Sequence, residues 1–192
     1  MFTKITEKIV GNMEKHNMIQ TDRISIYKYG INQMLNMLLN IVTFLVIGLI
    51  FHMTLETIIF TAAYIPLRTY AGGFHAKTPF KCWIVSAVML IAVLPAIKYA
   101  NLYIFDILAL AGIAVIIILS PVEDKNKPLD ELEKKVYKKR CLLTLAAELF
   151  IFVLLWLFRM NNLSVCFEEV WITLSVKLIA GKLKNIIINH NR

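Results

Sequence analysis

Long apolar runs separated by short polar stretches form the main pattern of this chain. The longer runs cover residues 31–51, 83–97, 102–119 and 142–158, and two shorter ones cover 55–67 and 170–180. A helix that crosses a bilayer core of about 30 Å needs roughly 20 mainly apolar residues, with a lower limit near 17. The pattern predicts an all-α fold, a polytopic membrane bundle of about six membrane-embedded helices. It leaves open whether the two short runs cross completely.

The first 28 residues show an amphipathic pattern instead. Ile5, Ile9 and Met13 recur every four residues and form one stripe of a helix, with most charged residues elsewhere around it. Such a helix either lies in the membrane interface with its stripe in the acyl boundary or packs on the bundle as an ordinary amphipathic helix. The sequence leaves both possibilities open.

Three asparagines interrupt the first apolar run. Asn32, Asn36 and Asn40 are spaced by four residues, so they share one face of a helix. Polar side chains at membrane depth usually face protein or a cavity and form hydrogen bonds there. The stripe predicts hydrogen bonds between helices, with a substrate-facing polar surface as the alternative.

The composition indicates one membrane domain. Hydrophobic residues make up 58% of the 192 residues and charged residues 18%, and the mean hydropathy is +0.66. A soluble domain would be about half apolar and about a quarter charged. We divide the single domain 1–192 into the amphipathic segment 1–28, a catalytic turn at 66–82 and a charged cytoplasmic loop at 120–141. The start of the chain has no apolar segment followed by a cleavage site, so we expect no removable signal peptide.

The positions of the basic residues predict the orientation. With six crossings and both termini in the cytoplasm, 19 of the 21 lysines and arginines lie inside, and only Lys98 and Arg159 lie outside. This agrees with the positive-inside rule. The net charge of +8 therefore reflects topology and requires no nucleic acid, although it would attract anionic lipid head groups or an acidic peptide. We predict a multi-pass cell-membrane protein whose turn at 66–82 faces the cytoplasm.

Cys82 is the candidate nucleophile among three cysteines. The number is odd and the spacing unpaired, which argues against a disulfide framework and a metal site. Cys141 and Cys166 lie at the edges of apolar runs, where a cysteine is usually a small buried hydrophobe. Cys82 instead follows the polar, glycine-containing stretch between the second and third runs.

A helix start signal determines the expected environment of Cys82. Thr78 fits the N-cap and Pro79 the first helical position. Cys82 then lies in the first turn, where unpaired backbone N–H groups and the positive end of the helix dipole stabilise a thiolate. Lys77 and Lys81 add positive charge nearby.

His75 is the candidate base because it alone of the four histidines has a cysteine within ten residues. On one straight helix His75 and Cys82 would lie about 10 Å apart along the axis, too far for a hydrogen bond. Gly72 and Gly73 give the backbone the freedom to fold back over the helix N-terminus. His75 could then reach the separation of about 3 Å that a nucleophile and its base require. The alternative is a capping or interfacial histidine.

Arg68 follows the short run 55–67 and lies near the bilayer boundary. It either extends toward lipid phosphates or binds a carboxylate bidentately and positions an acidic substrate. The sequence alone does not decide between these two roles of Arg68.

These residues resemble the motif of a known family. The stretch 68–78, RTYAGGFHAKT, followed by Cys82, resembles the motif of the accessory gene regulator B (AgrB) peptidases, and the stretch 121–129, PVEDKNKPL, resembles their charged central loop. Length, span pattern and basic loops also match, so the resemblance covers nearly the whole chain.

The resemblance implies a cysteine endopeptidase of Gram-positive quorum sensing. Such an enzyme removes the C-terminal tail of a short AgrD-type propeptide and closes the product into a cyclic thiolactone or lactone autoinducing peptide. On the matching positions Cys82 is the nucleophile and His75 the base, with Arg68 and Gly73 in support. The family needs no cofactor, and a homodimer is compatible with it.

The residues agree with this chemistry. Backbone N–H groups at the helix start, or on the Gly72–Gly73 turn, are the candidate oxyanion donors. Two other classes remain as alternatives: a small transporter or peptide exporter, suggested by the asparagine stripe and by Glu148 within a span, and a membrane scaffold for a partner kinase. Neither gives a reason for a cysteine at a capped helix start beside a histidine.

Overall fold

The computed structural model describes residues 2–16, 18–74, 76, 78–99, 102–123 and 129–190. Within them the chain forms seven helices and a short 3-10 turn at Thr21–Arg23, with no strand pairing beyond one isolated bridge. The helices are α1 (Thr3–Lys15), α2 (Ile24–Ile50), α3 (Thr54–Ala71), α4 (Pro79–Tyr99), α5 (Leu102–Leu119), α6 (Glu131–Leu157) and α7 (Asn161–His190). The all-α prediction is confirmed.

The outer surface of the bundle is suited to lipid. Among the described residues, α2, α4 and α6 are long and apolar enough to cross a membrane, and α5 is a shorter apolar helix. Large apolar side chains such as Leu49, Val88 and Phe150 are exposed on these helices. Helices satisfy their own backbone hydrogen bonds, so they can present such a surface to hydrocarbon. The protein is therefore a helical membrane bundle.

The last helix is longer and more central than its apolar run suggests. In place of a short segment at 170–180, α7 extends over Asn161–His190 and packs against α3, α4, α5 and α6. Its buried polar residues are Ser164, Glu168, Glu169, Thr173, Ser175 and Lys177. Neighbouring helices cover these polar side chains, so they do not meet lipid, and the apolar run 170–180 marks only the middle part of α7.

Two other predicted boundaries also change. The run 55–67 belongs to α3, which continues through Arg68 to Ala71, so the turn predicted at 66–82 is reduced to the residues between Ala71 and Pro79. The second half of the loop predicted at 120–141 is helical, because α6 begins at Glu131. A capping box explains this start: Asp130 accepts from the backbone N–H of Glu133, and the Glu133 side chain accepts from the N–H of Asp130.

The amphipathic start of the chain packs on the bundle. α1 contacts α2 and buries Thr6 and Val10, whereas Ile5 and Ile9 remain exposed. The buried face is thus offset by one residue from the predicted stripe. The packing alternative is therefore the one that the structure shows, and contact of the exposed isoleucines with the acyl boundary stays a prediction.

The asparagine stripe of α2 forms hydrogen bonds within its own helix. Asn36 Nδ2 donates to the backbone oxygen of Asn32 and Asn40 Nδ2 to that of Asn36, each at 2.8 Å. These two amide groups therefore do not form the predicted hydrogen bonds between helices.

Candidate active site

The cap at the start of α4 places Cys82 as the sequence predicts. Thr78 Oγ1 accepts a hydrogen bond from the backbone N–H of Lys81 at 3.3 Å, and Pro79 is the first helical residue. The Cys82 N–H donates to the Thr78 carbonyl at 3.0 Å, which sets Cys82 in the first turn. Its side chain is half-buried, whereas Cys141 and Cys166 are fully buried. Cys82 is therefore the most accessible thiol of the three.

Two glycines let the chain leave α3 sharply. Gly72 has φ +74° and Gly73 has φ +108°, values that side chains disfavour. The Gly73 N–H donates to the Val122 carbonyl at 3.1 Å, and the Val122 N–H donates to the Ala71 carbonyl at 2.9 Å. A Cβ at Gly72 would collide with the Val122 carbonyl oxygen. The turn thus requires glycine both for its backbone angles and for this close pairing.

The segment that pairs with the turn is itself fixed by α6 and α7. Glu123 forms an ion pair with Lys134 at 3.0 Å and accepts the backbone N–H of Leu129 at 3.2 Å. The bond from Lys134, followed by that from Leu129, holds the pKa of Glu123 below its ordinary value. Asn185 Nδ2 on α7 donates to the Glu123 carbonyl at 2.8 Å. The glycine turn therefore rests on an ordered support.

The turn also lies directly against α7. The Phe74 N–H donates to the Lys177 carbonyl at 2.9 Å, and Arg68 Nη2 donates to the Phe74 carbonyl at 2.9 Å. Gly181 permits this contact, because a Cβ there would lie 2.7 Å from the Phe74 nitrogen. The Lys184 ammonium lies 5.3 Å from the centre of the Phe74 ring. Arg68 thus ties the end of α3 to the turn that precedes Cys82.

Two of the predicted site residues cannot be located here. His75, predicted as the base, and Lys77, predicted to add positive charge, lie outside the described residues. Lys81 is described, and its side chain is exposed on α4.

The backbone groups predicted as oxyanion donors are already engaged. The N–H groups of Gly72, Gly73 and Phe74 donate to the carbonyls of Arg68, Val122 and Lys177. Those of Lys81 and Cys82 donate to Thr78. In this structure each of these N–H groups serves the turn or the cap, and the oxyanion donors stay a prediction.

Tyr64 and Lys177 join the site from distant parts of the sequence. The Lys177 ammonium lies 5.3 Å from the Tyr64 ring centre, and the Arg68 guanidinium carbon lies 6.0 Å from the same ring. The backbone of Lys177 accepts the Phe74 N–H, so this group lies beside the turn that precedes Cys82. We call Tyr64, Arg68 and Lys177 the cationic cluster.

The sequence held a signal for one member of this cluster. Lys177 is the single charged residue of the run 170–180, and a charge inside such a run is a default indication of function. The positive-inside count includes Lys177 among the cytoplasmic residues, at the end of the last apolar run. The structure instead buries it in the middle of α7, with 9% of its surface exposed. Tyr64 lies one helical turn before Arg68, but nothing in the sequence marks it.

The cationic cluster has no ion-pair partner among the described residues. Arg68 Nη1 and the Tyr64 hydroxyl are buried close to each other, and neither makes a hydrogen bond of full geometry there. The ion pairs of the described residues join Arg23 to Asp22 and Lys134 to Glu123 and Glu131, and none includes Arg68 or Lys177. The described site therefore presents positive charge beside the turn that precedes Cys82.

Comparisons with known proteins agree with this picture. AgrB-like protein 2 of Clostridium perfringens is 29% identical over 95% of this chain and 92% of its own length. An AgrB-like protein of another strain of that species is 30% identical over 78% of this chain and 73% of its own length. Accessory gene regulator protein B of Staphylococcus carnosus is 33% identical over 66% of this chain and 67% of its own length. No solved structure matches.

The comparison with protein families also covers most of the chain. The sequence model described as Accessory gene regulator B matches residues 3–180, which include Cys82, the glycine turn and the cationic cluster. A match over most of the chain shows the family. The chain therefore belongs to the accessory gene regulator B (AgrB) family of membrane proteins of quorum sensing.

Proposed function

We propose that this protein is a membrane-embedded cysteine endopeptidase that removes the C-terminal tail of an AgrD-type propeptide and promotes its cyclisation. The observation that supports this most is the position of Cys82, half-buried in the first turn of a capped helix. The start of a helix is one of the positions at which reactive cysteines occur. Membership of the AgrB family supplies the class of substrate.

In the first step the Cys82 sulfur attacks the scissile carbonyl carbon. His75 accepts the thiol proton and then gives it to the amine of the departing tail, so the C–N bond breaks as the C–S bond persists. The propeptide remains on Cys82 as a thioester. The helix cap and the glycine turn support this step, because they hold the start of α4, which carries Cys82, in a defined position.

In the second step a thiol or hydroxyl within the propeptide attacks the thioester carbonyl. The C–S bond to Cys82 breaks, the enzyme regains its thiol, and the peptide closes into a thiolactone or lactone. Exchange of one thioester for another has little free-energy cost, whereas attack by water would give a linear peptide. A site at the membrane boundary limits water and so favours the ring.

Arg68 has a structural role in the proposed enzyme. Its Nη2 holds the Phe74 carbonyl, and Phe74 in turn donates to α7. Its Nη1 is buried without a partner and is free to meet a carboxylate or a developing negative charge. Arg68 therefore both orders the turn and contributes positive charge, which accounts for it better than contact with lipid phosphates alone.

The features that suggested a transporter have simpler explanations. The amide groups of Asn36 and Asn40 bond within α2, and Glu148 accepts a hydrogen bond from the indole N–H of Trp171 at 2.9 Å. These contacts serve the helices themselves, so we do not need a transport pathway to account for them.

The decisive experiment is reconstitution of the full chain in vesicles with a candidate propeptide, with products identified by mass. We expect Cys82→Ala and His75→Ala to abolish both the cleaved tail and the cyclic peptide, with normal amounts of protein in the membrane. Cys141→Ala is the matched control, because this buried thiol of α6 should be dispensable for chemistry. Cleavage that survives in purified Cys82→Ala protein would rule out the proposed enzyme.

A further inference from the structure

We infer that the C-terminal part of α7 contacts lipid along one side, so that the glycine turn on its other side lies at the membrane boundary. The contact surface, which we call the outer strip, consists of the exposed aliphatic residues Val176, Ile179, Leu183, Ile186 and Ile187. The inference goes beyond the proposed function, because lipid contact does not depend on peptidase chemistry. Length and composition do not place α7 among the candidate spans of the described residues.

The outer strip follows a single face of the helix. Val176, Ile179, Leu183 and Ile187 recur every three or four residues, which is the spacing of one helical face. Each side chain of the strip is 42–60% exposed. A large aliphatic surface of this kind is unfavourable in water and requires an apolar partner.

The opposite face of the same segment contacts the candidate site. The Lys177 carbonyl accepts the Phe74 N–H at 2.9 Å, and Asn185 Nδ2 donates to the Glu123 carbonyl at 2.8 Å. Between them Gly181 lies directly against the backbone of Phe74. These three residues of α7 are spaced by four, so they form an inner face opposite the strip. The glycine turn is therefore separated from the outer strip by the width of one helix, about 10 Å.

The residues of the strip favour lipid over a second copy of the chain. Packed faces of membrane helices are rich in small and polar residues. Inner faces of this bundle follow that rule, since a Cβ at Gly112 would lie 2.8 Å from the Trp171 carbonyl oxygen and one at Gly181 2.7 Å from the Phe74 nitrogen. The outer strip contains no glycine and no polar residue. Between residues 176 and 187, all of which the structure describes, Ala180 is the one small residue on the exposed side.

The neighbouring helix and the length of α7 indicate the depth of the strip. α4 is apolar enough to cross a membrane, exposes Ile84 and Val88, and packs against α7, so the strip adjoins a lipid-facing surface. The 30 residues of α7 extend about 45 Å, which exceeds a hydrocarbon core of about 30 Å, so the helix reaches the head groups. Lys182 is exposed beside the strip, where its long side chain can extend to anionic head groups. The strip and the glycine turn therefore lie at the boundary of acyl chains and head groups.

The test is photo-crosslinking of the full chain in vesicles of phosphatidylcholine and phosphatidylglycerol, with products identified by mass. Leu183→p-benzoylphenylalanine and Ile187→p-benzoylphenylalanine each place the reactive ketone on the outer strip. The same substitution at Phe150, which is 67% exposed on the candidate span α6, is the positive control. The negative control is Glu131, the first residue of α6, whose side chain is 86% exposed.

We expect phospholipid adducts at Leu183 and Ile187 in a yield close to that at Phe150. This yield should exceed that at Glu131 about tenfold, since transfer of a large aliphatic side chain from water to hydrocarbon is favourable by at least that factor. Ile179→p-benzoylphenylalanine is a further position on the strip in case one variant does not insert.

Two results overturn the inference. Lipid yields on the strip that equal the yield at Glu131 would mean that water covers it. A covalent dimer in place of the lipid adduct would assign the strip to contact between two copies of the chain. Since no propeptide is present, either result is independent of cleavage by the wild type and by Cys82→Ala, and the two proposals fail separately.

Discussion

Gly72 is the residue on which the geometry of the turn depends most directly. Its φ of +74° and ψ of −136° lie in a sparsely populated region that costs a side chain about 1–3 kcal/mol, and a Cβ would also collide with the Val122 carbonyl. We therefore expect Gly72→Ala to displace the turn from Val122 and to reduce propeptide cleavage at least about tenfold, since a misplacement of 1 Å can cost far more. Cleavage per mole of membrane-inserted protein is the measurement.

Gly30→Ala is the control for this change. Gly30 lies in α2 with nothing within 4 Å of a Cβ, so alanine fits there and favours the helix slightly. Equal activity of Gly72→Ala and Gly30→Ala would show that the turn does not depend on its glycine geometry.

At the scale of single residues, local chemistry was predictable and distant partners were not. The capping role of Thr78, the first-turn position of Cys82 and the flexible glycine turn follow from neighbours in the sequence. Tyr64 and Lys177 come together only because α3 and α7 pack against each other, which no local pattern encodes. The acceptors of the Gly73 and Phe74 N–H groups, Val122 and Lys177, also come from remote segments that the sequence does not indicate.

At the scale of helices, α6 and α7 are joined by one buried polar contact. Trp171 Nε1 donates to Glu148 Oε2 at 2.9 Å, and the two residues are 1% and 4% exposed. Glu148→Leu would leave the indole N–H without an acceptor, at a cost of about 1–3 kcal/mol in the free energy of unfolding. We expect a lower thermal midpoint of the purified protein in detergent.

Two companion variants separate this contact from general packing. Glu148→Gln keeps an acceptor oxygen and should lie close to the wild type. Trp171→Phe in the Glu148→Leu background removes the orphaned donor, so the double variant should lose less than the sum of the single changes. Strict additivity of the two changes would mean that the hydrogen bond does not couple the helices.

The predicted helix boundaries were wrong where a helix contains charged residues outside its apolar run. The first turns of α6 are highly charged, yet the Asp130–Glu133 capping box starts the helix there. α7 carries acidic and basic residues along its length, yet it is continuous because neighbouring helices rather than lipid cover them. An apolar run in the sequence marks the part of a helix that contacts lipid. Residues that neighbouring helices cover need not be apolar.

At the scale of the whole molecule, the basic residues form one distinctive groove. An open cavity of about 510 Å³ lies where α5 ends and α6 begins, lined by Ser120, Pro121, Lys134, Lys135, Lys138, Lys139 and Leu142. Lys134 is paired with Glu123, and Lys138 donates to the Ser120 carbonyl at 2.8 Å. Lys135 and Lys139 are exposed and enter none of the ion pairs of the described residues. The cytoplasmic orientation of this groove remains a prediction from the positive-inside rule.

The groove offers a site for an acidic propeptide tail. If long-range attraction brings the tail to these lysines, salt should weaken it, because the Debye length falls from about 10 Å at 0.1 M to about 3 Å at 1 M. We expect the KM for propeptide cleavage to rise several-fold over that range while kcat changes little.

The double variant Lys135→Gln/Lys139→Gln should raise the KM at low salt and flatten its salt dependence. Lys4→Gln/Lys8→Gln removes the same charge from exposed positions of α1 and should preserve both values. A KM that is independent of salt, or equally altered by the two double variants, would remove the groove from substrate capture.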